Sequence, residues 1–296
     1  MQTIQLHPNL PAFSRLVYGA WRMNDAGTTT PEQALARIEA ALYAGITTFD
    51  HADVYGGHTC EALFGEALKL SPGIKARTQH ITKCDIMIKG AKFPSRRVKH
   101  YDTSPAHIRA SVDASLRYLG VDVIDVLLIH RPDPLMDATS TGECLDALVK
   151  EGKIRAAGVS NFMVHDFNLL QSAMQTPLVT NQIEISLLAR QSFSDGTLSQ
   201  AQQLKHPPMA WSPLAGGKLF AHKALQPFLG AMAQASSVGT DAVAIAWLLA
   251  HPAKILPVLG TNNLERIKAS ADAFKVKMGR EAWFELLVAA QSHDVA

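Results

Sequence analysis

The stretch TTPEQALARIEAALYAGITTFDHADVYGGHTCEALFGEALK, residues 29–69, reads as a helix, a strand, a loop and a second helix in one run. Thr30 stands as N-cap, Pro31 takes the first helical position, Gln33 completes a capping box and Gly45 ends the helix. The segment ITTFD, residues 46–50, is β-branched and aromatic and predicts a strand, after which TCEALFGEALK resumes the helical period with Thr59 as candidate cap. Between strand and second helix the chain gathers Asp50, His51, Asp53, Tyr55 and a pair of glycines. A buried strand thus ends in a cluster of polar groups.

The same alternation recurs along the chain. Strands are expected at RLVYG (15–19), ITTFD, HITKC (80–84), VIDVLLIH (123–130), IRAAGVS (154–160), LVTNQIE (178–184), PMAWS (208–212) and ILPVLG (255–260). Helical patterns such as SPAHIRASVDASLRYLG, GECLDALVKEG and TDAVAIAWLLAH fill most of the gaps, and alternation of this kind makes a parallel sheet with right-handed crossovers. Eight such units in 296 residues predict an α/β fold, a single-domain (β/α)8 barrel over residues 1–296 with its active site at the C-terminal ends of the strands. A doubly wound sheet serving a nucleotide would announce itself with GxGxxG after its first strand, and neither that motif nor GxxxxGK[ST] occurs.

Composition narrows the function classes. With 47% hydrophobic and 18% charged residues the chain can bury a sizeable core. Its formal charge of +2 is spread along the sequence, which gives no basic face for nucleic acid and no polybasic membrane anchor. Cys60, Cys84 and Cys144 are too few and too scattered for a disulfide framework or a metal site, and are expected to be small buried thiols. No metal is expected. The N-terminus lacks an apolar signal region and no window reaches the length of a membrane span. The expectation is a soluble, cytoplasmic protein acting on a small molecule, with the monomer favoured because no long amphipathic seam demands a partner.

In a (β/α)8 barrel the reactive groups stand where strands end. The second strand ends at Asp50 and leads to Tyr55, the third delivers Lys83, the fourth His130, the fifth Ser160 and Asn161, the sixth Asn181 and Gln182, the seventh Trp211 and Ser212, and the eighth Gly260, Thr261 and Asn262. Singly, each has a structural explanation; together on one rim they make an acid–base site. A lysine cation beside a phenol favours its ionisation and would bring the tyrosine towards neutrality, Asp50 would hold the ammonium, and His130 would orient a carbonyl oxygen. Lys83 could instead attack a carbonyl as a Schiff-base nucleophile, as in an aldolase or lyase, although Asp50 favours its charged form.

These residues resemble the aldo-keto reductases. GITTFDHADVYG resembles the family's tetrad-bearing segment, ITKC its lysine strand, VDVIDVLLIHRPDP its histidine strand and GKIRAAGVSNF its cofactor-amide strand. NQIEIS, AWSPLAGGKL and PVLGTNNLERI follow in the family's order, and the likeness runs from about Arg15 to Ala273. ALYAGITTFDHADVYGG, LLIHRPDPLMDA and MGREAWFELL look most like the bacterial YdhF-like oxidoreductases.

The resemblance implies reduction of aldehydes and ketones with NADPH (NADP+ in the reverse sense). It places the catalytic set on Asp50, Tyr55, Lys83 and His130, and the nicotinamide carboxamide on Ser160, Asn161 and Gln182. Trp211 stands where the family stacks an aromatic ring on the nicotinamide. Ser212, Leu214 and Gly216 match the pyrophosphate loop, and Gly260, Thr261, Asn262 and Arg266 the adenosine-phosphate segment. Many members carry lysine or arginine at the position of Gly260 or Asn262, and glutamate and asparagine at those of Ala269 and Ser270. NADPH preference therefore falls on Arg266 and on the helix N-terminus after Thr261. Members that serve ion channels suggest a further reading, a nicotinamide-binding regulatory subunit.

By position alone, Trp21, Met87 and Arg131 line the substrate mouth. Asp122 and Asp125 are expected to bond backbone or a neighbouring helix, and Trp247 to lie in the core. The basic run KGAKFPSRRVKH, residues 89–100, is either a lid at the mouth or a solvated loop.

Overall fold

Eight parallel strands close into a barrel, and the strands that close it are those read from the sequence. The structure, a computed structural model, describes residues 1–25, 27–90 and 93–296. The barrel strands are β1 (Val17–Gly19), β2 (Thr48–Asp50), β3 (Gln79–Cys84), β4 (Ile124–Ile129), β5 (Ile154–Ser160), β6 (Leu178–Glu184), β7 (Met209–Trp211) and β8 (Leu256–Leu259). Each pairs with its sequence neighbours, and β8 closes on β1 through Val258 opposite Val17 and Leu259 opposite Tyr18.

Local sequence sets the crossover elements. The helix Pro31–Tyr43 begins with the expected capping box: Gln33 N–H donates to Thr30 Oγ1 at 3.3 Å and Thr30 N–H to Gln33 Oε1 at 3.1 Å. Gly45, at φ +80°, then turns the chain into β2. Thr59 precedes the helix Cys60–Leu70 without capping it, because its hydroxyl donates to Gly56 O and accepts from Asn24 Nδ2. Gly65 lets this helix press on the helix Pro105–Leu119, since a Cβ there would stand 1.9 Å from the carbonyl oxygen of Tyr118.

Apolar side chains fill two shells. Val17, Ile81, Val126, Leu128, Met209 and Leu256 pack within the barrel over Phe13, which belongs to an antiparallel pair, Thr3–Ile4 with Phe13–Ser14. Helices pack outside, where Trp247 is wholly buried and stacks on Trp283 at 4.6 Å with each indole N–H donating to the other's carbonyl at 3.0 Å. All three cysteines are free and buried. Asp125 is structural as expected, accepting from His80 N–H and Arg155 Nε, whereas Asp122 is exposed and bonds neither backbone nor helix among the described residues.

Part of the basic run leaves the barrel as a hairpin, Ile86–Met87 paired with His100–Tyr101. Phe93 meets the His58 ring at 5.1 Å and lies under the Arg96 guanidinium at 4.0 Å, so this segment folds onto the loop that carries Tyr55. Ala91 and Lys92 of that run lie outside the described residues.

Candidate active site

Strand alternation sends Asp50, Lys83 and Gln182 into the barrel near its C-terminal mouth, where they meet Tyr55 from the β2 loop. Lys83 Nζ, wholly buried, donates to both Asp50 oxygens at 2.7 and 2.8 Å, to His51 O at 2.8 Å and to Tyr55 Oη at 2.9 Å. Gln182 Nε2 donates to Asp50 Oδ1 at 2.7 Å, so a third strand braces the carboxylate. His130, just past β4, sets its ring edge-on to Tyr55 with centroids 5.9 Å apart.

The electrostatics differ from the sequence expectation at Tyr55. Its phenol is raised well above the usual 10.0, first by burial and then by the Asp50 charge, with Arg131 acting against them. Lys83 does not bring the phenol to neutrality, because burial and then the Asp50 charge act the other way. The phenol therefore holds its proton, as a donor requires. Burial, with Lys83, Arg131 and Lys99, lowers His130 well below 6.5. A neutral imidazole offers one donor and one acceptor, and Nδ1 is buried with no partner among the described residues.

Hydrogen bonds tie the rest of the rim together. Asn161, at φ +61°, donates from Nδ2 to His130 O at 3.3 Å and to Ser160 Oγ at 2.8 Å, and accepts from Trp211 Nε1 at 2.9 Å. Trp211 is thereby held by its edge while the Arg131 guanidinium stands 5.9 Å above its ring. Ser160 Oγ donates to Gln182 O, so Ser160, Asn161 and Gln182 form one connected group. Gln182 Oε1 accepts no hydrogen bond among the described residues, and Asn161 Oδ1 keeps a lone pair. These oxygens fit the N–H groups of a carboxamide. Ser212 (φ +50°) opens the next loop, Leu214 packs between two core clusters, and Gly216 and Gly217 (φ +64° and +92°) are exposed with open space where a Cβ would stand. Backbone so bare fits close approach by a pyrophosphate, and Lys218 follows it.

The far end of the proposed cofactor path is built around internal bonds. Asn262 is engaged within the protein, accepting from Tyr18 Oη at 3.1 Å and donating to Arg22 O at 2.7 Å. The helix after Thr261 is only Leu264–Ala269, and its first turn is capped by Asn263, whose Oδ1 accepts from Arg266 N–H. Gly260 and Arg266 are exposed, and the Arg266 guanidinium makes no bond among the described residues. At the mouth, Trp21 is 55% exposed, with Arg22 over its ring at 5.2 Å, while Met87 and Arg131 are half-buried.

Behind the site the sequence reading singled out neither Glu61 nor Asp85, and it named His51 and Asp53 without assigning them a role. Glu61 accepts from Thr82 and Ser115, burial pushes Asp53 up to about 7, Asp85 ends β3 in a left-handed turn, and His51 contacts His80. Each looks like an ordinary helix or loop residue in sequence; only barrel closure buries it.

The arrangement of a buried lysine–aspartate pair, a protonated phenol and a neutral histidine on one rim is accompanied by a match of residues 15–286 to the model described as Aldo/keto reductase family. The chain belongs to the aldo/keto reductase family. It is 54% identical over 298 residues, covering all of both chains, to "6-dehydroglucose reductase" of Agrobacterium fabrum. It is 43% identical to "Oxidoreductase YdhF" of Escherichia coli, over its whole length and 99% of that protein. Among solved structures, an aldo/keto reductase from Klebsiella pneumoniae in complex with NADP and acetate superposes with a TM-score of 0.77 at 27% identity, covering 93% of this chain and 90% of that one. This aldo/keto reductase family member is an oxidoreductase, and no helix among its described residues is long and apolar enough to cross a membrane.

Proposed function

We propose that this protein is an NADPH-dependent carbonyl reductase in which Tyr55 is the general acid. The observation that carries the reading is the four-way contact of Lys83 with both Asp50 oxygens, His51 O and Tyr55 Oη beside the His130 ring. Nicotinamide supplies the hydride when bound. The protein's residues would do the rest: Ser160, Asn161 and Gln182 would hold the carboxamide, Trp211 would meet the ring, and the glycine-bearing turn at 216 would receive the phosphates. Tyr55 Oη and the His130 N–H converge on the carbonyl oxygen and meet negative charge as it grows there, which stabilises the transition state more than the ground state. Tyr55 then gives its proton to the alkoxide, and Lys83 hydrogen-bonds the oxygen left behind.

The Schiff-base alternative finds no support in this geometry, because the Lys83 nitrogen is hydrogen-bonded to Asp50 and has no exposed surface on which to form a bond to substrate. The substrate class we favour is an aldehyde carrying hydroxyl groups, on the strength of the relative named 6-dehydroglucose reductase. Arg131, Trp21 and Met87 would line its path. Arg266 would meet the 2′-phosphate that separates NADPH from NADH. Residues 1–296 would act as one domain.

The test is a carbonyl panel headed by 6-dehydroglucose, followed through NADPH absorbance and repeated with NADH. Turnover with preference for NADPH is expected. Tight NADPH binding without turnover of any carbonyl would favour the regulatory reading, and borohydride trapping of substrate on Lys83 would favour the aldolase.

A further inference from the structure

The β3–β4 pairing runs in register to Cys84 opposite Ile129, and His130 N–H continues it by donating to Cys84 O at 3.0 Å. At the next residue the β3 chain departs. Asp85 has φ +106°, a region that side chains other than glycine enter only under strain, and the chain leaves as the hairpin Ile86–Met87/His100–Tyr101. The backbone of β3 can no longer meet Arg131. Instead the Asp85 side chain does so, accepting Arg131 N–H on Oδ2 at 2.9 Å, while its carbonyl accepts Asp102 N–H from the returning arm at 2.9 Å. Asp85 is wholly buried.

We infer that Asp85 is a positioning residue: its carboxyl replaces the missing strand backbone, locking the His130–Arg131 corner to the end of the lysine strand while the chain turns out to build the hairpin. This rests on the reading of Tyr55 and His130 as the pair that grips the carbonyl oxygen. The lock is the first link of a belt across the mouth. Arg131 N–H bonds Asp85, His130 O accepts from Asn161 Nδ2, and Asn161 Oδ1 accepts from Trp211 Nε1. Losing the first link frees His130 to shift against Tyr55 without touching either ring.

The surroundings fit a neutral link. Burial raises the Asp85 carboxyl to about 8, the Arg131 and His130 N–H groups oppose that, and Asp53 and Asp133 add to it. Burial thus favours the uncharged carboxyl, and asparagine, which keeps an acceptor oxygen and also tolerates positive φ, is its close substitute.

The test compares Asp85→Asn with Asp85→Gly, the second of which accepts the backbone geometry but removes the acceptor; Asp85→Ala removes the same acceptor and serves if the glycine variant does not fold. Two readouts are taken: amide hydrogen exchange at Arg131, and kcat, KM and NADPH affinity in aldehyde reduction. Without the acceptor, Arg131 should exchange faster and kcat fall about ten- to a hundredfold, as expected of a small misplacement of a reacting group, with NADPH affinity unchanged. Asp85→Asn should restore both. An Arg131 amide still protected in the glycine or alanine variant, an asparagine variant as impaired as they are, or faster exchange with unchanged kcat would each overturn the proposal. Absence of carbonyl turnover in the wild type would refute the proposed function instead, and the exchange comparison would still report on the lock.

Discussion

The two ends of the proposed cofactor path are built in opposite ways. At the reacting end Lys83 is wholly buried and bonded to Asp50, His51 and Tyr55, so its charge is placed before any substrate arrives. At the far end Arg266 is exposed, and its guanidinium bonds nothing among the described residues. Chemistry needs dipoles fixed where charge will develop, because reorganising them during reaction would cost what catalysis must save. Discrimination between two cofactors needs only a differential contact, which an exposed surface cation such as Arg266 would provide. Disturbing the buried end should therefore cost rate and stability together, and disturbing the exposed end should cost affinity for one ligand.

The largest effect is expected at Tyr55. Tyr55→Phe keeps the ring against His130 and removes only the proton donor, so carbonyl turnover should fall about 10²- to 10⁴-fold with cofactor affinity retained. Near-normal turnover would remove Tyr55 from its role. The pH profile sharpens the point: because the phenol is raised well above 10.0, reduction by the wild type should show no loss from phenol ionisation up to pH 10. An alkaline limb centred near neutrality, abolished in the phenylalanine variant, would show that the Lys83 field wins after all.

Next comes the pair beneath it. Lys83→Met leaves the Asp50 carboxylate buried without its cation, and breaking a buried pair in this way costs about 3–5 kcal/mol. The denaturant midpoint should drop accordingly, and carbonyl turnover should fall with it. Adding Asp50→Asn to Lys83→Met should recover much of the stability but none of the activity. A double variant no more stable than the single one would mean that the pair is not the source of the strain.

The chain read as sequence disclosed the barrel because each strand carried its own signal: β-branched runs of five to eight residues stood between capped helices, and the Thr30 capping box formed with both its bonds. The hairpin strands Thr3–Ile4 and Phe13–Ser14 carried none, since two residues show no period. Asp50, Tyr55, Lys83 and His130 were legible as residues at strand ends. The Tyr55 pKa was not, because it depends on how completely Asp50 offsets Lys83 and on burial from several strands. Asp85 was invisible for a similar reason: only the pairing of β3 with β4 shows that its side chain stands in for backbone.

The buried end should also be sensitive to acid. His80 lies behind the site, in contact with His51, and burial lowers it to about 4 from 6.5. Its folded pKa lies below its unfolded one, so the unfolded chain binds the extra proton. The stability held in this neutral ring is complete above pH 6.5 and is lost as pH falls towards 4, by about 3 kcal/mol for a shift of that size. Denaturant unfolding at pH 7 and pH 4.5 should show a smaller difference in His80→Gln than in the wild type. An equal difference in both would assign the acid loss to other groups.

Arg266 carries the smallest and most selective effect. With Gly260 uncharged and Asn262 engaged by Tyr18 and Arg22, the segment offers no other cation before Lys268, whose ammonium is paired with Glu265 at 3.0 Å. Charge-assisted hydrogen bonds from Arg266 to a 2′-phosphate would contribute about 1.5–3 kcal/mol. Arg266→Ala should therefore weaken NADPH by roughly ten- to a hundredfold, at about 1.4 kcal/mol per tenfold, and leave NADH nearly untouched. Because the guanidinium has no partner among the described residues, its removal should leave the melting temperature unchanged, unlike any change at Lys83. Titrating both cofactors by quenching of tryptophan fluorescence, with Trp211 beside the proposed nicotinamide site as reporter, separates the outcomes. Equal losses for both cofactors, or none for either, would move the phosphate contact elsewhere and dissolve the contrast between the two ends.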